Sequence, residues 1–270
     1  MKPLGGVAEV RRMIDIVKTA ARGFGTNFFL PDGAIEPALR AGDFEALEAA
    51  GVVLFLKREA GFVRVYYCAA DTSALADGLA RLNLPESGVL VADIIGRPDD
   101  TAPWEEQFAA AGFSRYSRYL RMQRIFSGNP HPVAPNPEVE VAQESDAEAI
   151  LDAITATFDA YADHIPGIEE IRRAASLGTI LLGRDAGRLA AVLYYDRCGV
   201  TSLLRYWLVL PDHPRSSLGD KLMGRYFQEC AGCRRSVLWV QETNQRAIAI
   251  YRWYGYKPDS TVDAILIQRP

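Results

Sequence analysis

A proline-rich segment near the middle of the chain constrains the fold more than any other feature. Residues Ser127–Glu138 read SGNPHPVAPNPE and contain four prolines. Each proline removes a backbone N–H and fixes φ, so this segment can neither continue a helix nor form a central strand. It predicts an exposed linker at 127–137 that divides the 270 residues into domains at 1–126 and 138–270. Both parts have the usual length of a compact domain.

Composition and charge narrow the class of protein. Apolar residues make up 49% of the sequence and charged residues 24%, a balance typical of soluble globular proteins. The formal net charge of -4 disfavours nucleic acid as a partner. No apolar run reaches the roughly 18 residues of a membrane span, and charges interrupt the N-terminus where a signal peptide has its apolar core. We therefore expect a cytoplasmic protein whose partner is neither a nucleic acid nor a membrane.

The cysteines are too sparse to predict a disulfide scaffold. They are Cys68, Cys198, Cys230 and Cys233. Cys230 and Cys233 form a CxxC pair, but such a pair supplies only two of the four ligands that a structural zinc needs. We therefore expect reduced thiols and no metal site.

Apolar periodicity and turn residues predict an α+β fold class on both sides of the linker. On the N-terminal side we expect helices near 10–22, 72–82 and from 101, a hairpin at 51–70 and a strand at 88–96. On the C-terminal side a strand at 138–143 precedes a helix, with Ser145 as its cap and Glu148 completing a capping box. Then follow a helix at 168–176, strands at 179–185, 187–197 and 199–210, a helix, a strand at 236–240, a helix and a strand at 263–269.

A faint internal repeat links the two halves. The segment EEQFAAAGFSRYSRYLRMQR echoes AIAIYRWYGYKPDSTVDAILIQR, with Phe108 in the place of Tyr251 and Gly112 in the place of Gly255. This match suggests a duplicated fold.

The segment 244–256, NQRAIAIYRWYGY, predicts an amphipathic helix. Ala247, Ile250, Tyr251 and Tyr254 recur at helical spacing on one face, and Gly255 can end the helix in a left-handed conformation. One interpretation is an aromatic face that only packs against the core. The other gives the tyrosines a chemical role.

The preceding segment 207–227, WLVLPDHPRSSLGDKLMGRYF, predicts a strand, a loop of small residues and a helix. A helix N-terminus directs unpaired backbone N–H groups at one point, which favours a phosphate. Ser217 and Gly219 are small enough for a diphosphate to approach the main chain, and Arg215 can add a positive charge.

Together these segments resemble the GNAT N-acetyltransferases. Val209 and Pro211 match the start of the family's phosphate-loop motif, and Gly219 falls at its last glycine. Its later helix motif is matched in full, by Asn244, Ala247, Tyr251, Gly255 and Tyr256. The resemblance covers nearly all of 138–270. Pro214 and Ser217 depart from it, since the family usually has arginine and glycine there.

The resemblance implies a mixed, mainly antiparallel sheet flanked by helices, with two such domains in tandem. It also implies an acetyl-CoA-dependent N-acetyltransferase, with acetyl-CoA as cosubstrate, acting on the amine of a small molecule or a peptide amino terminus. Tyr251 would protonate the departing thiolate, and Asn244 would lie beside the pantetheine arm. That arm would contact Leu208, Val209 and Leu210. The diphosphate would lie over Arg215, Ser216, Ser217, Leu218, Gly219 and Asp220.

The general base is not identified by pattern. Many family members carry a glutamate on the strand before the loop, where this chain has Arg205 and Tyr206. The candidates are Glu242, Asp196, Tyr195, His164, Glu169 and a chain of waters. His164 and Arg205 are also candidates for substrate binding. Arg205 either binds a carboxylate or phosphate of the acceptor or belongs to the polar face of a strand.

The N-terminal half has no counterpart of the phosphate loop, and Phe108 lacks the hydroxyl of Tyr251. We therefore expect residues 1–126 to be a degenerate GNAT-like or other α+β domain without a coenzyme A site. Such a domain would shape the acceptor cleft or mediate association, with a homodimer as one arrangement. The alternative function for the whole chain is a non-catalytic module that binds coenzyme A, a metabolite or a partner protein.

Overall fold

The computed structural model describes residues 2–21, 23–83, 88–126, 138–213 and 217–270. The predicted linker at 127–137 lies outside the described residues. The chain forms two compact units, the first made of Met1–Leu120 with Ser260–Pro270 and the second of Arg121–Asp259. This division differs from the predicted domains at 1–126 and 138–270, because the end of the chain groups with the first unit.

The first unit has four helices and a mainly antiparallel sheet among its described residues. The helices are α1 (Val7–Ala20), α2 (Asp32–Ala41), α3 (Thr72–Leu79) and α4 (Pro98–Ala110). The strands are β1 (Lys2–Pro3), β2 (Gly25–Thr26), β3 (Phe44–Ala49), β4 (Val52–Glu59), β5 (Phe62–Ala69), β6 (Leu90–Gly96) and the start of β7 (Ser114–Ile125).

Strand β5 pairs antiparallel with β4 and parallel with β6 in the first unit. The neighbour of β6 on its other side comes from the end of the chain, where 262–268 pairs antiparallel with 90–96. Apolar side chains of β4, β5 and β6 pack with those of α3 and α4 to form a buried core.

The second unit repeats this organisation. Its helices are α5 (Ala147–Thr157), α6 (Ile168–Ser176), α7 (Leu218–Glu229) and α8 (Gln245–Trp253). Its strands are the end of β7, β8 (Val139–Val141), β9 (Ile180–Asp185), β10 (Arg188–Cys198), β11 (Thr201–Val209), β12 (Arg235–Gln241) and the start of β13 (Lys257–Gln268). Strands β8 to β11 pair antiparallel in chain order, β12 pairs parallel with β11, and the end of β7 lies beside β12.

The order of elements confirms the duplication suggested by the sequence repeat. Each unit has a strand, two helices, three antiparallel strands, a helix, a parallel strand and a helix, apart from the added β2 in the first. Phe108 lies in α4 as Tyr251 lies in α8, and Gly112 and Gly255 both follow these helices with φ of 90° and 86°. Such φ values favour glycine, which explains why both helices end there.

Several local features differ from the sequence prediction. Helix α2 was not predicted, because Pro37 lies inside it and obscures its helical pattern. Strands β1, β2, β3 and β7 were not predicted either. The cap predicted at Ser145 was wrong. A short 3-10 turn at Glu144–Asp146 precedes α5, and the reciprocal capping box joins Gln143 and Asp146.

None of the helices among the described residues combines the length and the apolar character needed to span a bilayer.

Candidate functional site

Strands β11 and β12 pair only over their first halves. The parallel ladder runs from Thr201 opposite Arg235 to Leu204 opposite Leu238, although both strands continue beyond it. We name the segment beyond the ladder, 205–209 of β11 with 239–241 of β12, the fork. There the edge of β11 has no ladder partner on β12, so its backbone groups are available to an extended ligand.

A β-bulge marks the start of the fork. On β10, Tyr195 lies opposite Leu204 and Tyr194 lies opposite Tyr206, which leaves Arg205 as the extra residue of β11. A bulge of this kind bends the strand and redirects side chains, and bulges are frequent beside active sites.

The bulge moves later side chains to the opposite face of the sheet. Before it, Ser202 accepts a hydrogen bond from Tyr226 of α7 at 2.9 Å. Beyond it, Tyr206 packs in the core formed with α5 and α6, and its hydroxyl donates to the carbonyl of His164 at 2.7 Å. Trp207 therefore faces α7 and α8, and the fork is lined from both faces of the sheet.

Helix α7 begins against the fork. Its N-cap Ser217 makes no side-chain cap hydrogen bond, so the N–H groups of the first turn are not satisfied by the cap. Gly219 is buried, and a Cβ added to it would lie 3.3 Å from Val209 Cγ2 and 3.4 Å from Trp207 Cζ2. The positive end of the helix dipole thus lies beside the edge of β11.

The remaining members of the predicted phosphate loop are only partly described. Arg215 and Ser216, with Pro214, lie outside the described residues. Asp220, in the first turn of α7, accepts a hydrogen bond of 2.6 Å from the hydroxyl of Tyr254. This contact ties the end of α8 to the start of α7, and burial together with Asp220 raises the pKa of Tyr254.

Leu208 and Val209 at the end of β11, and Leu210 directly after it, were predicted to contact the pantetheine arm. The side chain of Leu208 is buried in the core with α5 and α6, and Val209 is half-buried against Gly219. The N–H of Leu210 donates to the carbonyl of Ala190 at 2.8 Å. The backbone of 208–209 on the β12 side therefore remains the part of this segment that a ligand can reach.

Helix α8 places a tyrosine ring at the fork. Asn244 is its N-cap, and the Oδ1 atom accepts from the N–H of Ala247 at 3.0 Å. The ring of Tyr251 lies 5.8 Å from the ring of Trp207. Burial raises the pKa of the Tyr251 phenol well above its usual value, so this group stays protonated at neutral pH.

Arg205 lies at the centre of a polar cluster on the opposite face. Its Nη1 atom forms a hydrogen-bonded ion pair with Glu170 of α6, lies 3.6 Å from Asp196 Oδ2 and donates to the Tyr194 hydroxyl at 3.1 Å. We name these four residues the Arg205 cluster. Its two carboxylates and one guanidinium leave a formal charge of -1, so Arg205 is already neutralised within the chain.

The carboxyl of Asp196 in this cluster has a raised pKa. Its side chain is 38% exposed. Burial raises the pKa of Asp196, Arg205 lowers it in part, and Glu170 raises it again. A carboxylate that holds a proton more readily than usual, and that solvent can still reach, is suited to accept a proton from a bound group.

The other candidate bases lie elsewhere. Glu242 is exposed in the turn between β12 and α8, and Glu169 is exposed at the start of α6, where it pairs with Arg172. Tyr195 is buried against α7, and its hydroxyl donates to the carbonyl of Gly178. His164 is half-buried with φ of 48°.

Two residues of the site were not singled out from the sequence. Glu170 reaches Arg205 across 35 positions, a pairing that no local pattern signals. Trp207 was counted only as a strand residue, although alternation along β11 places it on the same face as Val209. The presence of a large aromatic beside the predicted loop was the signal available.

In the first unit, the opening that corresponds to the fork is filled by Asn27. The parallel ladder of β5 and β6 ends at Val65 opposite Ala92. There the buried Asn27 amide donates to the carbonyls of Val65 and Asp93 at 3.0 and 2.9 Å and accepts from the N–H of Tyr67 at 2.6 Å. The side chain thus bridges both strands where the second unit leaves an edge free.

The helix that follows this opening also differs. Asp71 is the N-cap of α3, and its carboxylate accepts from the N–H of Ala74 at 2.8 Å. A negative charge already occupies this helix N-terminus, which disfavours a phosphate there. Phe108, in the place of Tyr251, is fully buried among Tyr67 and Phe113.

The CxxC thiols lie at the C-terminal end of α7. Cys230 is buried, and burial raises the pKa of its thiol to about 11. Cys233 is half-buried, and its N–H donates to the carbonyl of Cys230 at 2.9 Å. The Cys230 thiol therefore stays protonated at neutral pH, which does not favour metal binding or nucleophilic chemistry.

The second unit combines a parallel strand pair that opens beyond its ladder with a helix N-terminus that no side chain of the described residues caps. Its mixed sheet covered by helices is the α+β arrangement that the resemblance to the GNAT acetyltransferases implies. Residues 147–256 match the sequence model of the acetyltransferase (GNAT) family. The matched segment lies wholly within the second unit. No curated protein matches the chain significantly.

Solved structures share this fold. A GCN5-related N-acetyltransferase from Sphaerobacter thermophilus is 15% identical with a TM-score of 0.58, over 81% of this chain and 77% of that one. Another, from Kribbella flavida, is 16% identical with a TM-score of 0.56, over 98% and 96%. A tandem GNAT protein from the clavulanic acid biosynthesis pathway is 14% identical with a TM-score of 0.57, over 95% and 87%. At these identities the likeness shows the fold alone, a tandem of GNAT-like units.

Proposed function

We propose that the second unit is an acetyl-CoA-dependent N-acetyltransferase that acts on the amine of a small molecule or on an amino terminus. The observation that carries this proposal is the fork, which brings the free edge of β11 together with the start of α7 and the phenol of Tyr251. The strand edge would bind the pantetheine amides, the start of α7 would bind the diphosphate, and the phenol would donate a proton.

The described residues fit coenzyme A. The first-turn N–H groups of α7 would bind a diphosphate, since no side chain of the described residues caps them and the helix dipole favours an anion. The edge of β11 at 208–209 would bind the pantetheine amides as an added strand does. Asn244 uses Oδ1 as a cap, which leaves its Nδ2 donors for the arm. Acetyl-CoA would supply the activated thioester.

Tyr251 would deliver the proton that the coenzyme A thiolate needs on departure. Its burial keeps the phenol protonated, and its place at the fork puts it on the α7 and α8 face. General acids of this kind contribute about 10²- to 10⁴-fold in rate.

Asp196 would accept the proton from the attacking amine. It lies on the α5 and α6 face with the Arg205 cluster, so acid and base act from opposite faces of the sheet and do not neutralise each other. The formal charge of the cluster favours an ammonium group over an acidic acceptor. Because Arg205 is already paired with Glu170 and Asp196, we do not expect it to bind an acceptor carboxylate.

Calorimetric titration with acetyl-CoA and measurement of thiol release with a panel of amines test the proposal. We expect one site per chain, because in the first unit Asn27 already bonds the backbone of β5 and β6 and Asp71 already caps α3. Tyr251→Phe should lower kcat about 100-fold or more with an unchanged Kd for acetyl-CoA. Asp196→Asn should lower kcat and remove the acidic limb of the pH–rate profile, whereas the control Glu242→Gln should do neither.

The outcomes separate the parts of the proposal. Full activity of Tyr251→Phe would refute the assignment of the acid. Tight binding without turnover on any amine would identify a non-catalytic coenzyme A-binding module. Absence of binding by the intact protein would refute the proposal as a whole.

A further inference from the structure

The indole N–H of Trp207 is buried and has no hydrogen-bond partner among the described residues. Folded proteins rarely leave a buried donor unpaired, because the group has lost its water without gaining another acceptor. Trp207 lies within the fork, in the part of β11 that is not paired with β12. The unpaired donor is thus located where the proposed site is, and not at a distant point of the core.

The surroundings of the ring fix its position. A Cβ added to Gly219 would lie 3.4 Å from Trp207 Cζ2 and 3.8 Å from Cε2, the carbon bonded to the indole nitrogen. The edge of the ring that carries the N–H therefore lies against the first turn of α7. The rings of Tyr251 and Tyr254 pack against the indole at 5.8 and 5.7 Å. The N–H cannot turn to another partner unless these rings repack.

A second polar group beside it is also unpaired. The Tyr251 hydroxyl makes no hydrogen bond to the described residues, whereas the Tyr254 hydroxyl is bonded to Asp220. The buried indole N–H and the Tyr251 hydroxyl thus belong to neighbouring rings, next to a helix start that no side chain of the described residues caps. Such convergence of unpaired polar groups in a mostly apolar setting is the usual character of a ligand site.

We infer that Trp207 is a coenzyme-binding residue whose indole N–H donates a hydrogen bond to an oxygen of the bound acyl-CoA. This inference rests on the proposed function. The acceptor is either a pantetheine amide carbonyl or a diphosphate oxygen, since the ring lies between the edge of β11 and the first turn of α7. Both are hydrogen-bond acceptors that an indole N–H, which is a donor only, can satisfy.

The test compares Trp207→Phe with Trp253→Phe. The first removes the buried donor and keeps an aromatic ring, whereas the control alters a tryptophan on α8 that is 76% exposed. We expect the Kd for coenzyme A to rise about tenfold in Trp207→Phe, or about 1.4 kcal/mol, and to stay unchanged in the control. Without ligand, both variants should retain the wild-type circular dichroism spectrum. Titration with pantetheine and with 3′-phosphoadenosine 5′-diphosphate, which carries the diphosphate, identifies the acceptor by which of the two loses affinity.

A second measurement does not depend on the folding of Trp207→Phe. The chain has four tryptophans, so four indole N–H signals are expected in a nitrogen–proton correlation spectrum. Phenylalanine variants of the other three assign the Trp207 signal by elimination. Addition of coenzyme A to the wild-type protein should shift this signal and slow its exchange with solvent.

The results distinguish this inference from the proposed function. If the wild-type protein binds coenzyme A while Trp207→Phe binds equally tightly, or the Trp207 signal does not move, the inference is overturned and the proposed function stands. If the wild-type protein does not bind coenzyme A, both are overturned.

Discussion

Replacement of Tyr226 by phenylalanine should destabilise the second unit through a network of buried hydroxyls. The Tyr226 hydroxyl lies 2.9 Å from Ser202 Oγ and 2.7 Å from Ser236 Oγ, and Ser236 Oγ lies 2.6 Å from the Tyr256 hydroxyl. Ser202 and Ser236 are opposite each other in the ladder of β11 and β12. The network therefore connects α7 to the paired part of these strands, just before the fork opens.

The magnitude follows from which bonds remain. Tyr226→Phe removes two hydrogen bonds, each with a net value of about 0.5–1.5 kcal/mol. Ser236 keeps the Tyr256 hydroxyl as a partner, and Ser202 keeps a longer contact of 3.4 Å to the carbonyl of Asp196. Neither serine is left without a partner, so the larger penalty of a stranded group does not apply. We expect the free energy of unfolding to fall by about 2 kcal/mol.

Urea unfolding followed by tryptophan fluorescence measures this change. Trp207, Trp239 and Trp253 lie in the second unit and only Trp104 lies in the first, so the signal reports mainly on the second unit. A double-mutant cycle with Ser236→Ala isolates the coupling, which should exceed the roughly 0.3–0.5 kcal/mol expected for independent sites. Additive effects, or a loss below about 0.5 kcal/mol for Tyr226→Phe, would refute the network as a source of stability.

Three further predictions concern the first unit. Burial and the neighbouring Asp93 raise the pKa of Asp263 in the folded protein. Ionisation of Asp263 therefore opposes folding, and the protein loses stability as the pH rises from about 4, the usual pKa of an aspartate, through the raised value. Asp263→Asn should therefore raise the melting temperature relative to wild type by an amount that grows with pH; a constant difference would contradict this. Gly25→Ala places a Cβ 2.2 Å from the Trp104 ring and should cost about 1–3 kcal/mol in denaturant unfolding, and a neutral result would mean that the indole moves freely. Asp71→Ala removes the cap of α3 and should cost about 1 kcal/mol, whereas Asp71→Asn should cost less.

The elements of the second unit were largely predictable, because their patterns are local. Helix α6 was predicted at 168–176, and the three antiparallel strands and the end of α8 at Gly255 agree with alternation and turn residues. Local signals failed where proline interrupts a helix, as in α2, and where a 3-10 turn precedes one, as at Gln143.

The geometry of the site was less predictable, since it depends on pairing between distant segments. The bulge at Arg205 appears only when the register of β10 against β11 is known, and it decides which side chains face α6 and which face α7. The partner of Arg205 on α6 and the unpaired N–H of Trp207 are consequences of this register. The sequence motif predicted which segments form the site. Simple alternation along β11 could not predict which side chains lie on each face of the sheet, because the bulge at Arg205 reverses the alternation.

The two units show how one fold can keep or lose such a site with few changes. Both have a parallel strand pair whose ladder ends early, followed by a helix whose N-terminus could bind an anion. In the first unit the amide of Asn27 satisfies both strands and the carboxylate of Asp71 caps the helix. In the second, no side chain of the described residues caps α7, and the edge of β11 is not paired with β12. Because the backbone architecture is the same, the difference in proposed function lies in whether the chain satisfies these polar groups itself or leaves them for a ligand.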